Sequence, residues 1–300
     1  MPHPPLLDEV WREQSVWSQA ADRLKNGIER ARLAALVVVV LVAVLGAAAA
    51  AVGESLHPLG RVLAACAAAG SLILPALRPL WSGTRLQNWT RARSVSEALK
   101  GNVYLWLART GPFVNDDDAV VLGNRIDNLR LDAADLQSAC DGIDPVDRAL
   151  PPVRDLASFF TIRVEGQCTG YYRPQARRIE KRLRWFRAVG VALGAIGAAL
   201  GVVAAAVDAS LASWIAVVAT IGTAVAVHVS ATRYEFQRIE FARTAEELRQ
   251  IKARADRPGV PESELHRLAR RAERVISIEN QGWMAKLAEN PADQEAPKHP

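Results

Sequence analysis

The sequence predicts an all-α membrane protein, with four transmembrane helices arranged as two hairpins and long cytoplasmic helical extensions. Three observations predict it. Residues 33–53 and 188–207 are 21 and 20 residues long and hold no charge and no side-chain hydrogen-bonding group. About 20 helical residues at 1.5 Å each cross a hydrocarbon core of about 30 Å. Each of these runs is followed within a few positions by a second apolar run. Lysine and arginine together number 37, and only Arg61 falls in a hairpin connector. A buried helix of a soluble domain rarely runs this long without a polar face, so a purely soluble chain is excluded. Scattered aromatics and 16 prolines exclude a low-complexity or fibrous chain.

The four spans are expected near 33–53, 59–80, 188–207 and 210–230. The second has the shortest uninterrupted apolar core, 62–77. Residues 56–59 extend it, and Arg61 can snorkel to the interface. Helices are required because a backbone in lipid must satisfy its own hydrogen bonds. The distribution of Lys and Arg sets the orientation: both termini and the long middle segment are placed in the cytoplasm, with the spans in the plasma membrane. A polar leader of 32 residues argues against a signal peptide at 33–53. Cys66 in a span, with Cys140 and Cys168 on the reducing side, gives no disulfide framework.

Four segments follow from this layout: a first two-transmembrane unit at 1–112, a cytoplasmic connecting segment at 113–155, a second unit at 156–290 and a disordered tail at 291–300. The leader, 6–32, is expected as helix running straight into the first span. The second span should continue into helix through 98–108, stopped by Gly111-Pro112. Asn115, Asp116, Asp117 and Asp118 read as a helix N-cap in preference to metal ligands. Residues 141–152, with Gly142, Pro145, Pro151 and Pro152, read as a linker. A long helix is expected over 156–187, interrupted near Gly170 and Pro174. Helix should continue after the fourth span to 255 and end at Arg257-Pro258-Gly259. A last helix, 262–289, spaces Leu265, Leu268, Ala272 and Val275 like a coiled-coil seam. Its next seam position is Glu279, either solvated or paired with an arginine of a neighbouring helix or subunit.

Catalytic signatures are not found: there is no P-loop, no His-Glu-x-x-His and no Cys-x-x-Cys. The expectation is a non-enzyme with no catalytic, cofactor-binding or metal residues. Four features of the second unit are candidates for function. Gly190, Gly194, Gly197 and Gly201 form small-residue steps suited to close helix packing. Ser213, Thr220, Thr223 and His228 lie within about 140° of arc on the fourth span. They are candidate pore-facing residues, or hydroxyls that bond their own backbone carbonyls. Arg177, Arg178, Lys181, Arg182, Arg184 and Arg187, beside Trp185 and Phe186, are candidates for binding anionic lipid headgroups. Nucleic acid is not expected there, because the cluster abuts a span and has no motif around it. No span carries a carboxylate or a lysine, which disfavours coupled transport.

The order of residues around the hairpins resembles the SLATT domains, a family of bacterial two-transmembrane domains with long cytoplasmic helices. In the second half the matching pieces are Tyr171-Tyr172-Arg173, the basic helix to Trp185, the hairpin, Tyr234 and residues 245–248. Glu273-Arg274-Val275-Ile276, Glu279-Asn280 and Trp283 complete them. The first half also looks like a SLATT unit, through residues 14–32, the hairpin, and Ala92-Arg93, Glu97 and Lys100 ahead of Gly111-Pro112-Phe113. The resemblance implies two units in tandem. It also implies a pore-forming effector of a bacterial conflict system, answering partners that make or sense nucleotide signals. The chain holds no recognisable sensor, so a separate nucleotide-signal-dependent partner is implied. Two hairpins cannot easily enclose a wide pore, which points to a homo-oligomer. Glu273, Glu279, Asn280 and Trp283 are then the candidate coupling helix. The alternatives are a non-conducting membrane scaffold that recruits a cytoplasmic partner and, less favoured, a lipid-handling protein.

Overall fold

The computed structural model describes residues 4–52, 57–81, 83–114, 118–206 and 212–288. Among them every regular element is a helix. The helices are α1 (Pro5–Val52), α2 (His57–Leu77), α3 (Gly83–Leu107), α4 (Asp118–Asp132), α5 (Leu156–Phe159), α6 (Arg173–Ala206), α7 (Ala212–Thr232), α8 (Tyr234–Ala255) and α9 (Glu262–Ala288). Among the described residues, four helices are long and apolar enough to cross a membrane, with their apolar stretches in α1, α2, α6 and α7. The connector residues 53–56 and 208–210, residues 115–117 and the tail lie outside the described residues. So do the side chains of Glu279, Asn280 and Trp283, whose backbone belongs to α9.

The leader enters the first span as one unbroken helix, α1. The second span does not continue directly. A 3-10 turn at Arg78–Leu80 separates α2 from α3, where Pro79 removes a donor from the helical ladder. The end of α3 also differs from expectation. It closes at Leu107, four residues before Gly111, with Arg109 in the left-handed region (φ 47°). Thr110 N–H donates to Leu105 O at 3.0 Å and Arg109 N–H to Trp106 O at 3.0 Å, which is a Schellman cap. The break between α7 and α8 also carries a left-handed residue, Arg233 (φ 48°), whose N–H donates to Ser230 O at 3.1 Å.

No break appears near Gly170 and Pro174. Instead the helix widens into two π segments, Phe160–Glu165 and Cys168–Tyr172, before α6. In an α-helix each step of four residues overshoots a full turn by about 40°. The wider π turns absorb that drift, so Phe160, Val164, Cys168 and Tyr172 all stay buried. Asp155 opens this run with a capping box: its side chain accepts from Ser158 N–H at 2.8 Å, and Ser158 Oγ accepts from Asp155 N–H at 3.1 Å.

Residues group into two compact units. The polar unit comprises 1–26, 83–177 and 237–300. One apolar core runs through it, joining Val10 and Trp17 of α1, Leu99 and Val103 of α3, Ile126 of α4, Phe159, Leu248 of α8 and Ile276 of α9. The expected linker, 141–152, is part of this unit. It lies along α1 as a strap: Trp11 Nε1 donates to Ala149 O at 3.1 Å and Gln19 to Asp144 O at 2.9 Å. Val146 N–H donates to Ser15 Oγ at 2.9 Å, and Arg148 donates to Gln14 while lying 3.9 Å from the Trp11 ring. On α9 the buried positions are Leu268, Ala269, Ala272 and Ile276. This apolar stripe is broader than a coiled-coil seam and is spent inside the chain, mainly against α3.

The apolar unit comprises 27–82 and 178–236. Many of its large apolar side chains are exposed: Leu72 is 78% exposed, Val191 74% and Val202 71%. An apolar surface of that extent needs lipid or another chain around it.

Candidate functional site

Arg163 is the largest fully buried side chain of the polar unit. It sits in the first π segment, within the apolar run Phe-Phe-Thr-Ile-Arg-Val at 159–164. Burying a lone guanidinium costs several kcal/mol unless it is paired and hydrogen-bonded. Glu273 of α9 supplies the pairing, with Arg163 Nε donating to its Oε1 at 2.7 Å and Nη2 to its Oε2 at 3.0 Å. This two-pronged geometry is the strong form of an arginine–carboxylate contact. Glu97 of α3 lies on the other flank, its Oε2 3.7 Å from Arg163 Nη2. That oxygen is buried and takes no hydrogen bond among the described residues. The Tyr104 ring lies 4.8 Å from the guanidinium.

The cluster extends further. Arg93 reaches Glu97 Oε1 at 3.0 Å, one helical turn away, and lies 5.6 Å from the Tyr171 ring. With its amide oxygen turned to the cations, Gln167 accepts from Arg163 Nη1 at 3.1 Å and from Lys100 Nζ at 3.2 Å. Arg93, Lys100 and Arg163 thus face two carboxylates, which leaves one positive charge in excess. Burial pulls the Lys100 ammonium down to about 8; Glu97 supports its charge, while Arg163 and Arg93 oppose it. Burial also works against the Glu97 charge, but Arg93, Lys100 and Arg163 hold its carboxyl below the usual carboxylate range. For Arg163, the carboxylates of Glu273 and Glu97 more than offset burial, so its proton is held more firmly than in a free arginine. Gly101 leaves room for this: a Cβ there would stand 3.0 Å from Glu273 Oε2.

Glu273, one of the candidate coupling-helix residues, falls in this cluster. Like Arg93, Glu97 and Lys100 it was named through the family resemblance, and Arg163 was missed. Its signal is a single cation inside an apolar helical run, which has to find carboxylates elsewhere in the chain.

The span candidates lie in the apolar unit. Within the chain, a Cβ at Gly197 would meet Val218 at 3.6 Å and one at Gly201 would meet Ile215 at 4.0 Å, whereas Gly190 and Gly194 have nothing within 4 Å. Thr220 and Thr223 are exposed on α7, and Thr220 Oγ1 donates to Ala216 O at 2.8 Å. Ser213 and His228 are half-buried, the His228 ring 5.8 Å from that of Phe186. All six basic residues from Arg177 to Arg187 are exposed. Among the described residues no group of His, Cys, Asp and Glu could hold a metal ion.

Residues 159–283 match the family SLATT_1, the SMODS and SLOG-associating 2TM effector domain 1. The second half is thus similar to a SLATT domain. Residues 15–120 match a different family, DUF4231, a protein of unknown function. No curated protein and no solved structure matches the chain. The SLATT match begins at the π segment that holds Arg163 and reaches past Glu273. Arg93, Glu97 and Lys100 lie within the DUF4231 match. The buried cluster therefore draws its charges from both matched regions.

Proposed function

We propose that this chain is an oligomeric membrane effector of a bacterial conflict system. It permeabilises the plasma membrane and is gated through cytoplasmic helices, with both termini in the cytoplasm. The observation that carries this reading is the match of 159–283 to a two-transmembrane effector domain. The first hairpin is a second, SLATT-like unit of the same assembly. Any conducting path forms between chains, because Thr220 and Thr223 face outward from α7. The gate is the polar unit. Arg163 ties α9 to α3, and a separate partner that answers a nucleotide signal shifts the balance between closed and open packings. The chain itself carries no catalytic role.

A non-conducting scaffold is the competing reading, favoured by the back-bond of Thr220 to Ala216 O, which consumes one hydroxyl of the polar stripe. Purified full-length chain in dye-loaded liposomes separates the two. Leakage under activating conditions supports the effector, and tight vesicles under the same conditions support the scaffold. In cells, induced expression depolarises the membrane, and Gly194→Leu or Gly197→Leu changes the extent.

A further inference from the structure

We infer that one face at the start of α6 is a binding site for an anionic phospholipid. The inference rests on α6 entering a bilayer and is independent of conduction. At 100° per residue, Arg178, Lys181, Arg182 and Trp185 fall within about 100° of arc, with Trp185 between the cations. All four are exposed, Trp185 by 61%. Of the other cations in the stretch, Arg177 borders this face about 40° from Lys181, and the remaining two are already paired, Arg184 with Glu180 at 3.8 Å and Arg187 with Glu235 at 3.3 Å. Arg178, Lys181 and Arg182 enter no ion pair among the described residues. The inward side of this stretch is taken by Ile179 and Leu183, both buried.

The same face continues into the span. Ala192 and Ile196 follow Arg178 at the same azimuth to within about 40°, and both are exposed, Ile196 by 50%. Read along the helix, the face is cationic, then aromatic, then aliphatic. The distance from Lys181 to Ile196 is about 22 Å at 1.5 Å per residue. That sequence and length fit one phospholipid: its phosphate on the guanidiniums, its glycerol level at Trp185, and an acyl chain along Ala192 and Ile196. Tryptophan favours that interfacial depth, and guanidiniums bind phosphate in two-pronged fashion. A nucleic acid would use the cations and leave the aliphatic continuation unexplained.

The test uses the full chain in bilayers of phosphatidylcholine with an equal fraction of brominated phosphatidylglycerol or brominated phosphatidylcholine. Trp185 emission is taken as the difference between wild type and Trp185→Phe. The brominated anionic lipid is expected to quench more strongly, with affinity falling about fivefold per cation removed. In the Arg178→Gln/Lys181→Gln/Arg182→Gln variant the preference is lost, while quenching by brominated phosphatidylcholine persists and reports that α6 is still inserted. Arg184→Gln/Arg187→Gln keeps the preference. Equal quenching of wild type by the two lipids, or a preference that survives the triple substitution, overturns the inference. So does release of the anionic-lipid signal by single-stranded RNA.

Discussion

At Arg163, two carboxylates and a glutamine side chain share one guanidinium buried from bulk solvent. Removing the cation leaves Glu97 and Glu273 buried against each other. Arg163→Met should cost about 3–5 kcal/mol, read as a lower unfolding midpoint of the detergent-solubilised chain. Lys100 adds a pH dependence. Its folded value of about 8 lies below the ordinary 10.5, so between those two pH values the unfolded chain holds a proton that the folded chain has shed. Stability from this group therefore rises with pH across that window and is lowest below about 8. Lys100→Met should flatten that rise in a pH series of unfolding midpoints. Neither residue could be placed from the sequence. The partners of Arg163 sit on distant elements, Glu273 being 110 positions away, and helical periodicity reports only which face a residue shares with its near neighbours.

Helices were legible where periodicity and hydrophobic length act locally. The C-terminal end of α8 and the unbroken course of α1 agree with the sequence expectation. The strap and the π segments were not legible, because both are settled by tertiary contacts. Pro and Gly in 141–152 mark irregular backbone, and irregular backbone can be free or pinned. Here Trp11, Ser15 and Gln19 pin it. Tryptic cleavage after Arg148 should accordingly be slow in the folded chain and at least tenfold faster in Trp11→Ala, followed by mass spectrometry of the digest. In the first hairpin, a Cβ at Gly70 would stand 2.7 Å from Val42 Cγ2. A valine in a helix has essentially one rotamer to offer and cannot swing aside. Gly70→Val should then destabilise by about 1–3 kcal/mol, whereas Gly46→Val, with nothing within 4 Å, should leave the midpoint unchanged.

On the scale of the whole chain, both compact units are assembled from both halves of the sequence. The core of the polar unit places Leu99 and Val103 of the first half in one cluster with Leu248, Ala272 and Ile276 of the second. Residues 1–112 expressed alone should therefore expose that face and be degraded, and should be rescued by co-expression with 113–300. Co-purification on a single tag checks this, and a stable, monodisperse 1–112 fragment would contradict it. The guanidinium shared by Glu97 and Glu273 has a consequence for descent. No one of the three positions can drift to a neutral residue without leaving a buried charge at another of them short of a partner. Across related chains, positions 97, 163 and 273 should change in concert, so that a lineage lacking the acid at 273 also lacks the arginine at 163.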